Sequence, residues 1–196
     1  MGGIYHNSGC DESGYAGGQP GGGGTDRRHS QGVPTPDYAL DDAALLARCR
    51  RDAMRSGGPG GQHMQKTASA VRLVHTASGV EASCADERDR SRNEALALRH
   101  LRLRLALTLR GQADPAWLAP FRQGRRLTLR DRSPSYPLAV AVVMDALAQA
   151  QGSPAVAAES LDLSTSQVVR LLAADKEVLA VANRLRAEYG HGALHG

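Results

Sequence analysis

The stretch Arg55-Ser-Gly-Gly-Pro-Gly-Gly-Gln62-His-Met-Gln-Lys66-Thr-Ala-Ser-Ala-Val71-Arg-Leu-Val-His75 governs how the chain folds and what it does. Five of its residues are Gly or Pro, which punctuates a loop, yet Ser69 to His75 then carries β-branched Val71 and Val74 in a strand pattern. Thr76-Ala-Ser-Gly79 reads as a turn and Val80 to Cys84 as the returning strand, so a β-hairpin is expected. A plain linker has no reason to be followed so regularly. Gly17-Gly18-Gln19 repeats the tripeptide without that context, so the tripeptide alone carries little weight.

Working outward, Asp41 or Asp42 is placed to cap a short helix through Leu46, and Cys49 to Met54 reads as a strand. Residues 1–36 hold 11 of the 22 glycines and almost no aliphatic side chains. Such a segment cannot bury enough apolar surface to offset ordering, and is expected to be a disordered Gly-rich tail. On the other side, Ser91 to Arg110 is expected to be a long helix with Ala95, Leu98, Leu101, Leu105 and Leu109 on one face. Leu101, Leu103, Leu105, Leu107 and Leu109 also alternate as in a strand, but helix propensity and length decide for the helix.

Residues 112–134, rich in Arg and Pro, read as a connector, and 135–190 as an all-α helix-turn-helix-like unit. Within that unit Pro137 opens a helix reaching Gln149, Gly152-Ser-Pro154 breaks it, and Ser164 caps the second helix of the pair. A closing helix spans Lys176 to Tyr189 with Leu179, Ala182 and Leu185 inward, and residues 191–196 form a tail. The fold class expected is α+β. A small mixed domain over 37–111, holding the hairpin and the long helix, is followed by the helical unit.

Twenty-two of the 24 Lys and Arg residues are Arg, and twelve of these fall between Arg88 and Arg132 against only Asp89, Glu94, Asp114 and Asp131. That span carries 12 − 4 = +8, which favours a polyphosphate partner. Seven aromatic residues in all are too few for a base-stacking platform. Cys10, Cys49 and Cys84 form no CxxC pair and no disulfide framework, so no metal and no cofactor are expected, and a reducing cytoplasm fits. The longest apolar run, Leu138 to Met144, is too short to span a bilayer, and no membrane role is expected.

Arg55 to His75, with Gly79, Cys84, Asp86-Glu87-Arg88 and Asn93, resembles the catalytic domain of class I peptide chain release factors over roughly residues 45–108. That family hydrolyses the ester joining a finished peptide to tRNA inside the large ribosomal subunit. The resemblance implies that Gly60, Gly61 and Gln62 are catalytic, and that Arg55, His63, Lys66, Arg88, Arg90 and Arg92 meet RNA. The implied partners are large-subunit rRNA, peptidyl-tRNA and a glutamine methyltransferase acting on Gln62. The chain is expected to act as a cytoplasmic monomer.

The chemistry suits those residues. Ester hydrolysis builds negative charge on the carbonyl oxygen, and a main-chain N–H can meet it where no side chain intervenes. Gly60 and Gly61 permit such an approach. By the resemblance, the Gln62 N–H is the donor and its side chain places water. No nucleophile with a base is recognisable: Ser56 and Ser69 lack a His partner, and His63 and His75 lack a carboxylate in any known motif. Gln65 stands where the family usually has Asn, and Asp89 interrupts its Arg-Ser-Gln pattern with a negative charge.

No codon-recognising domain and no Lys/Arg-rich carboxy-terminal tail are expected, so of termination and codon-independent rescue of stalled ribosomes the leading expectation is hydrolysis without stop-codon reading, with the mode of ribosome engagement left unassigned. The competing reading is a nucleic-acid-binding or ribosome-binding regulator that uses the helix-turn-helix, with Thr165, Ser166, Gln167 and Arg170 on the recognition helix and no hydrolase activity. Residues 152–178 carry Glu159, Asp162, Asp175 and Glu177 against Arg170 and Lys176, a poor balance for a DNA ligand.

Overall fold

Three strands make the small sheet: β1 (Cys49–Met54), β2 (Ala70–His75) and β3 (Glu81–Cys84), antiparallel in the order β1-β2-β3. The computed structural model describes residues 35–54 and 69–195; the expected Gly-rich tail over 1–34 and the Gly-Gly-Gln loop lie outside them. Strand β1 follows helix α1 (Asp42–Ala47), whose N-cap Asp41 accepts from the Ala44 N–H at 2.8 Å. The hairpin turns at Gly79, whose φ of +71° is left-handed backbone that L side chains resist.

Side chains alternate across the sheet because the strand repeat is two. Val71, Leu73, His75, Ala82 and Cys84 are buried on one face. The opposite face carries polar pairs, among them Arg50 with Asp52 and Arg72 with Glu81. Helix α2 (Arg90–Thr108) covers the buried face.

Helix α2 explains the conflicting leucine pattern. At 100° per residue, side chains two apart point to opposite sides of a helix. Ala97, Leu98, Leu101 and Leu105 pack into the sheet core, while Leu103 and Leu107 pack into a second core built by the helices that follow. The alternation is thus a helix held between two cores. Ala95, expected on the inward face, is exposed, and Leu109 is only half-buried, because the sheet-facing stripe runs Asn93-Ala97-Leu101-Leu105.

The stretch expected as a connector is folded. A 3-10 segment (Pro115–Phe121) leads into the two-residue strands β4 (Arg122–Gln123) and β5 (Arg126–Leu127), which pair antiparallel. Trp117 meets the fully buried Tyr38 edge to face, with ring centroids 6.1 Å apart. The helices α3 (Tyr136–Gln149), α4 (Pro154–Ser160), α5 (Thr165–Ala173) and α6 (Lys176–Glu188) complete the second core.

In α6 the inward stripe is Val178-Ala182-Arg186, with Leu179 and Leu185 only half-buried. Residues 191–195, expected as a tail, are tied down. Arg186 donates to the Gly192 carbonyl at 2.8 Å, and Asn183 exchanges hydrogen bonds with Leu194.

Candidate catalytic loop and RNA interface

Met54 pairs with Ala70 across β1 and β2, so the chain leaves the sheet after 54 and returns at adjacent backbone. Gln62 stands midway along the connection, eight residues from each of the two. Arg55, Gly60, Gly61, Gln62, His63 and Lys66 all lie outside the described residues.

The described residues define what holds the returning end. Asn93, in the first turn of α2, is fully buried. Its Nδ2 donates to the Ser69 carbonyl at 2.9 Å and to the Glu87 carbonyl at 2.8 Å, and its Oδ1 accepts from the Glu87 N–H at 2.9 Å. One side chain thus joins the end of the loop to the turn before α2. Desolvation pushes the buried Cys84 thiol beside it upward in pKa, which keeps it neutral.

That turn and the first turn of α2 carry Arg88, Arg90 and Arg92, all exposed; among the described residues only Arg92 of the three forms an ion pair, 3.8 Å from Glu87. Asp89, read from the sequence as an intruding charge, is the N-cap of α2 and accepts from both the Ser91 hydroxyl and N–H at 2.8 Å. Those bonds, the hydroxyl first, hold its carboxyl below the ordinary carboxylate range. The sequence reading counted Asn93 among the residues of the resemblance but gave it no structural role. The signal was present in its position four residues before Ala97 and eight before Leu101, where the stripe demands an inward side chain.

Comparison with known proteins finds a similarity over this region. Residues 46–120 match the RF-1 domain. The matching region of peptide chain release factor 1 from Verminephrobacter eiseniae is 47% identical over 73 residues, covering 37% of this chain and 20% of that protein. Peptide chain release factor 1 from Chlamydia trachomatis serovar D is 50% identical over 73 residues, 36% of this chain and 20% of its own length. That of Symbiobacterium thermophilum is 51% identical over 55 residues, 28% of this chain and 15% of its own length. The chain spans about a fifth of the length of these relatives. The RF-1 domain match takes in β1, the loop, β2, β3, α2 and most of the 3-10 segment.

The arginine run, which reads as one basic band in the sequence, divides in the structure. Arg99 donates to the Asp131 carbonyl at 2.6 Å, and Arg102 to the carbonyls of Tyr38 and Leu40 and to Asp42. Arg104 reaches the Glu81 carbonyl and Glu177. Arg110 is pulled inside, where desolvation lowers its pKa against the opposing pull of Asp145. Arg122 and Arg125 hold the carbonyls of Leu161 and Leu163. Arg99, Arg102, Arg104, Arg122 and Arg125 thus fasten the fold in and around the region of the RF-1 domain match. Arg88, Arg90 and Arg92 at the loop root, with Arg126, Arg130 and Arg132 beyond the RF-1 domain match, are left exposed.

Helix α5 was the expected recognition helix. Thr165 and Ser166 are exposed, but Gln167 accepts from the Leu127 N–H at 3.3 Å, and Arg170 donates to the Leu127 carbonyl at 2.9 Å. Two of the four side chains offered for base reading are therefore occupied in holding β5. Among the described residues no helix is long and apolar enough to cross a membrane.

Proposed function

We propose that the chain is a release-factor-like protein that hydrolyses the peptidyl-tRNA ester on the ribosome through Gly60, Gly61 and Gln62. The single observation that carries this reading is the RF-1 domain match across the sheet that bears the loop. The buried Asn93 clasp on Ser69 supports it, because a donor must be held to within a fraction of an ångström to stabilise developing charge. Arg88, Arg90 and Arg92 support an RNA-facing loop root. Two of them sit in the first turn of α2, where the helix dipole disfavours cations, so the fold gains nothing from them there.

In this mechanism water attacks the ester carbonyl, and the oxyanion that forms is met by the main-chain N–H of Gln62. One donor of this kind contributes about 3–4 kcal/mol to transition-state stabilisation. Gly60 and Gly61 keep Cβ atoms out of the approach, the Gln62 amide places the water, and Arg55, His63 and Lys66 meet nearby phosphates. Gln62 is then the substrate of a glutamine methyltransferase, and the protein works in the cytoplasm.

Release of labelled peptide from ribosomes carrying peptidyl-tRNA tests this directly, with one arm holding a stop codon in the decoding site and one holding none. Gln62→Pro removes the N–H and is expected to cut the rate by about 10²–10³-fold. Gln62→Ala, which keeps it, loses less. Equal activity of Gln62→Pro and the parent overturns the reading, and the arm that supports release separates termination from rescue.

A further inference from the structure

Outside the RF-1 domain match, β4, β5 and the residues after them run beside helix α5 and leave an open cleft of about 570 Å³ between them. Arg126 and Arg130 stand on one wall and Arg170 on the other, with Gln123, Thr128 and Gln167 between them. Among the described residues no carboxylate lies within ion-pair distance of Arg126, Arg130 or Arg132. Asp131 also lines the cleft, so with neighbouring Arg132 the local balance is 4 − 1 = +3. The fold leaves the guanidinium groups of Arg126, Arg130 and Arg132 uncommitted, whereas it uses Arg99, Arg102, Arg104, Arg122 and Arg125 of the same run as internal donors.

We infer that this cleft is a second RNA site, one that grips phosphates of an RNA backbone through Arg126 and Arg130, while Arg170, whose Nη2 is already bonded to Leu127 and Gln167, adds its charge to the facing wall. Guanidinium forks match phosphate oxygens two at a time, and such groups spaced along a groove suit a polymer that repeats its charge. Acidic peptides are the weaker fit. Peptides anchor through apolar side chains, and the apolar floor here is nearly closed, with Leu127 at 4% and Leu171 at 7% exposure. The Tyr136 hydroxyl is already committed to the Leu171 carbonyl at 2.9 Å, so the floor offers no spare donor there. The walls, by contrast, present cations and amides.

The site goes beyond the hydrolase reading and does not require it, because RNA binding is measured with no ester present. The probe is a fluorescein-labelled 20-nucleotide RNA hairpin, titrated with the full chain at several salt concentrations. The variants are Arg126→Gln/Arg130→Gln and Arg126→Lys/Arg130→Lys, checked for unchanged circular dichroism and melting temperature. The Gln pair is expected to weaken binding at least fivefold and to flatten the dependence of log affinity on log salt by about 1.5, while the Lys pair keeps the parent slope. If the double Gln variant loses its fold, each single variant carries the same test with about half the change in slope. Competition by deacylated tRNA or by purified large ribosomal subunits then names the RNA that supplies the phosphates. Unchanged affinity and slope in the Gln pair, tighter binding of a polyglutamate peptide than of the hairpin, or competition by neither RNA overturns the inference.

Discussion

Asn93 concentrates the loop's support in one side chain. Asn93→Ala leaves the Ser69 carbonyl and both main-chain groups of Glu87 without their partner in a dry site, at about 2–3 kcal/mol of stability by denaturant titration. Asn93→Asp is the sharper variant. A carboxylate there faces two carbonyls, so burial raises its folded pKa above the unfolded value of about 4. The destabilisation is then full at neutral pH and shrinks as pH falls toward that unfolded value, so the stability gap between variant and parent narrows on acidification. Asp89 behaves oppositely. Its folded pKa is depressed, so its cap stabilises the protein above the ordinary carboxylate range and is lost as pH falls through the lowered value. Asp89→Ala is expected to lower the melting temperature at neutral pH and to have little further effect in strong acid, as a melting series across pH would read.

At the scale of elements, α2 belongs to two cores at once. Leu101 and Leu103, each nearly fully buried, point to opposite sides. Leu101→Ala and Leu103→Ala are each expected to cost about 3 kcal/mol, and the double variant their sum within about 0.5 kcal/mol. Leu101→Ala with Leu105→Ala, which share one core, is expected to depart from additivity. Much of this element was legible beforehand, because a helix and a hairpin declare themselves through local periodicity and a turn glycine. The second burial face of α2 was not, since alternating leucines fit a strand and a two-faced helix equally until the partner helices are placed. The segment 112–134 misled for a related reason. Its order comes from Trp117 against Tyr38 and from arginines bonded to distant carbonyls, contacts with no sequence-local signature.

For the molecule as a whole, the described residues fall in one compact unit, with α2 shared between the sheet and the helices. Thermal unfolding of these parts is expected as a single cooperative transition by calorimetry. Removing residues 121–196 would uncover Leu103, Leu107 and Leu118, and the shortened chain is expected to bind a hydrophobic dye that the parent ignores. Of the candidate site, the exposed arginines at the loop root were legible, while the expected catalytic residues lie outside the described residues. What escaped was the sorting of arginines, because a guanidinium donating to a carbonyl and one facing solvent look alike in sequence.

The pairing of Met54 with Ala70 has a further bearing on loop length. Eight residues separate Gln62 from either strand end, so its backbone can stand no more than roughly 26–29 Å from the sheet. With the two ends already fastened side by side, doubling the length of the connection adds only about 0.6 kcal/mol to its closure. Thermodynamic tolerance is therefore wide while geometric tolerance is narrow. The span of this arm is answerable to whatever its tip must touch rather than to the durability of the body that carries it.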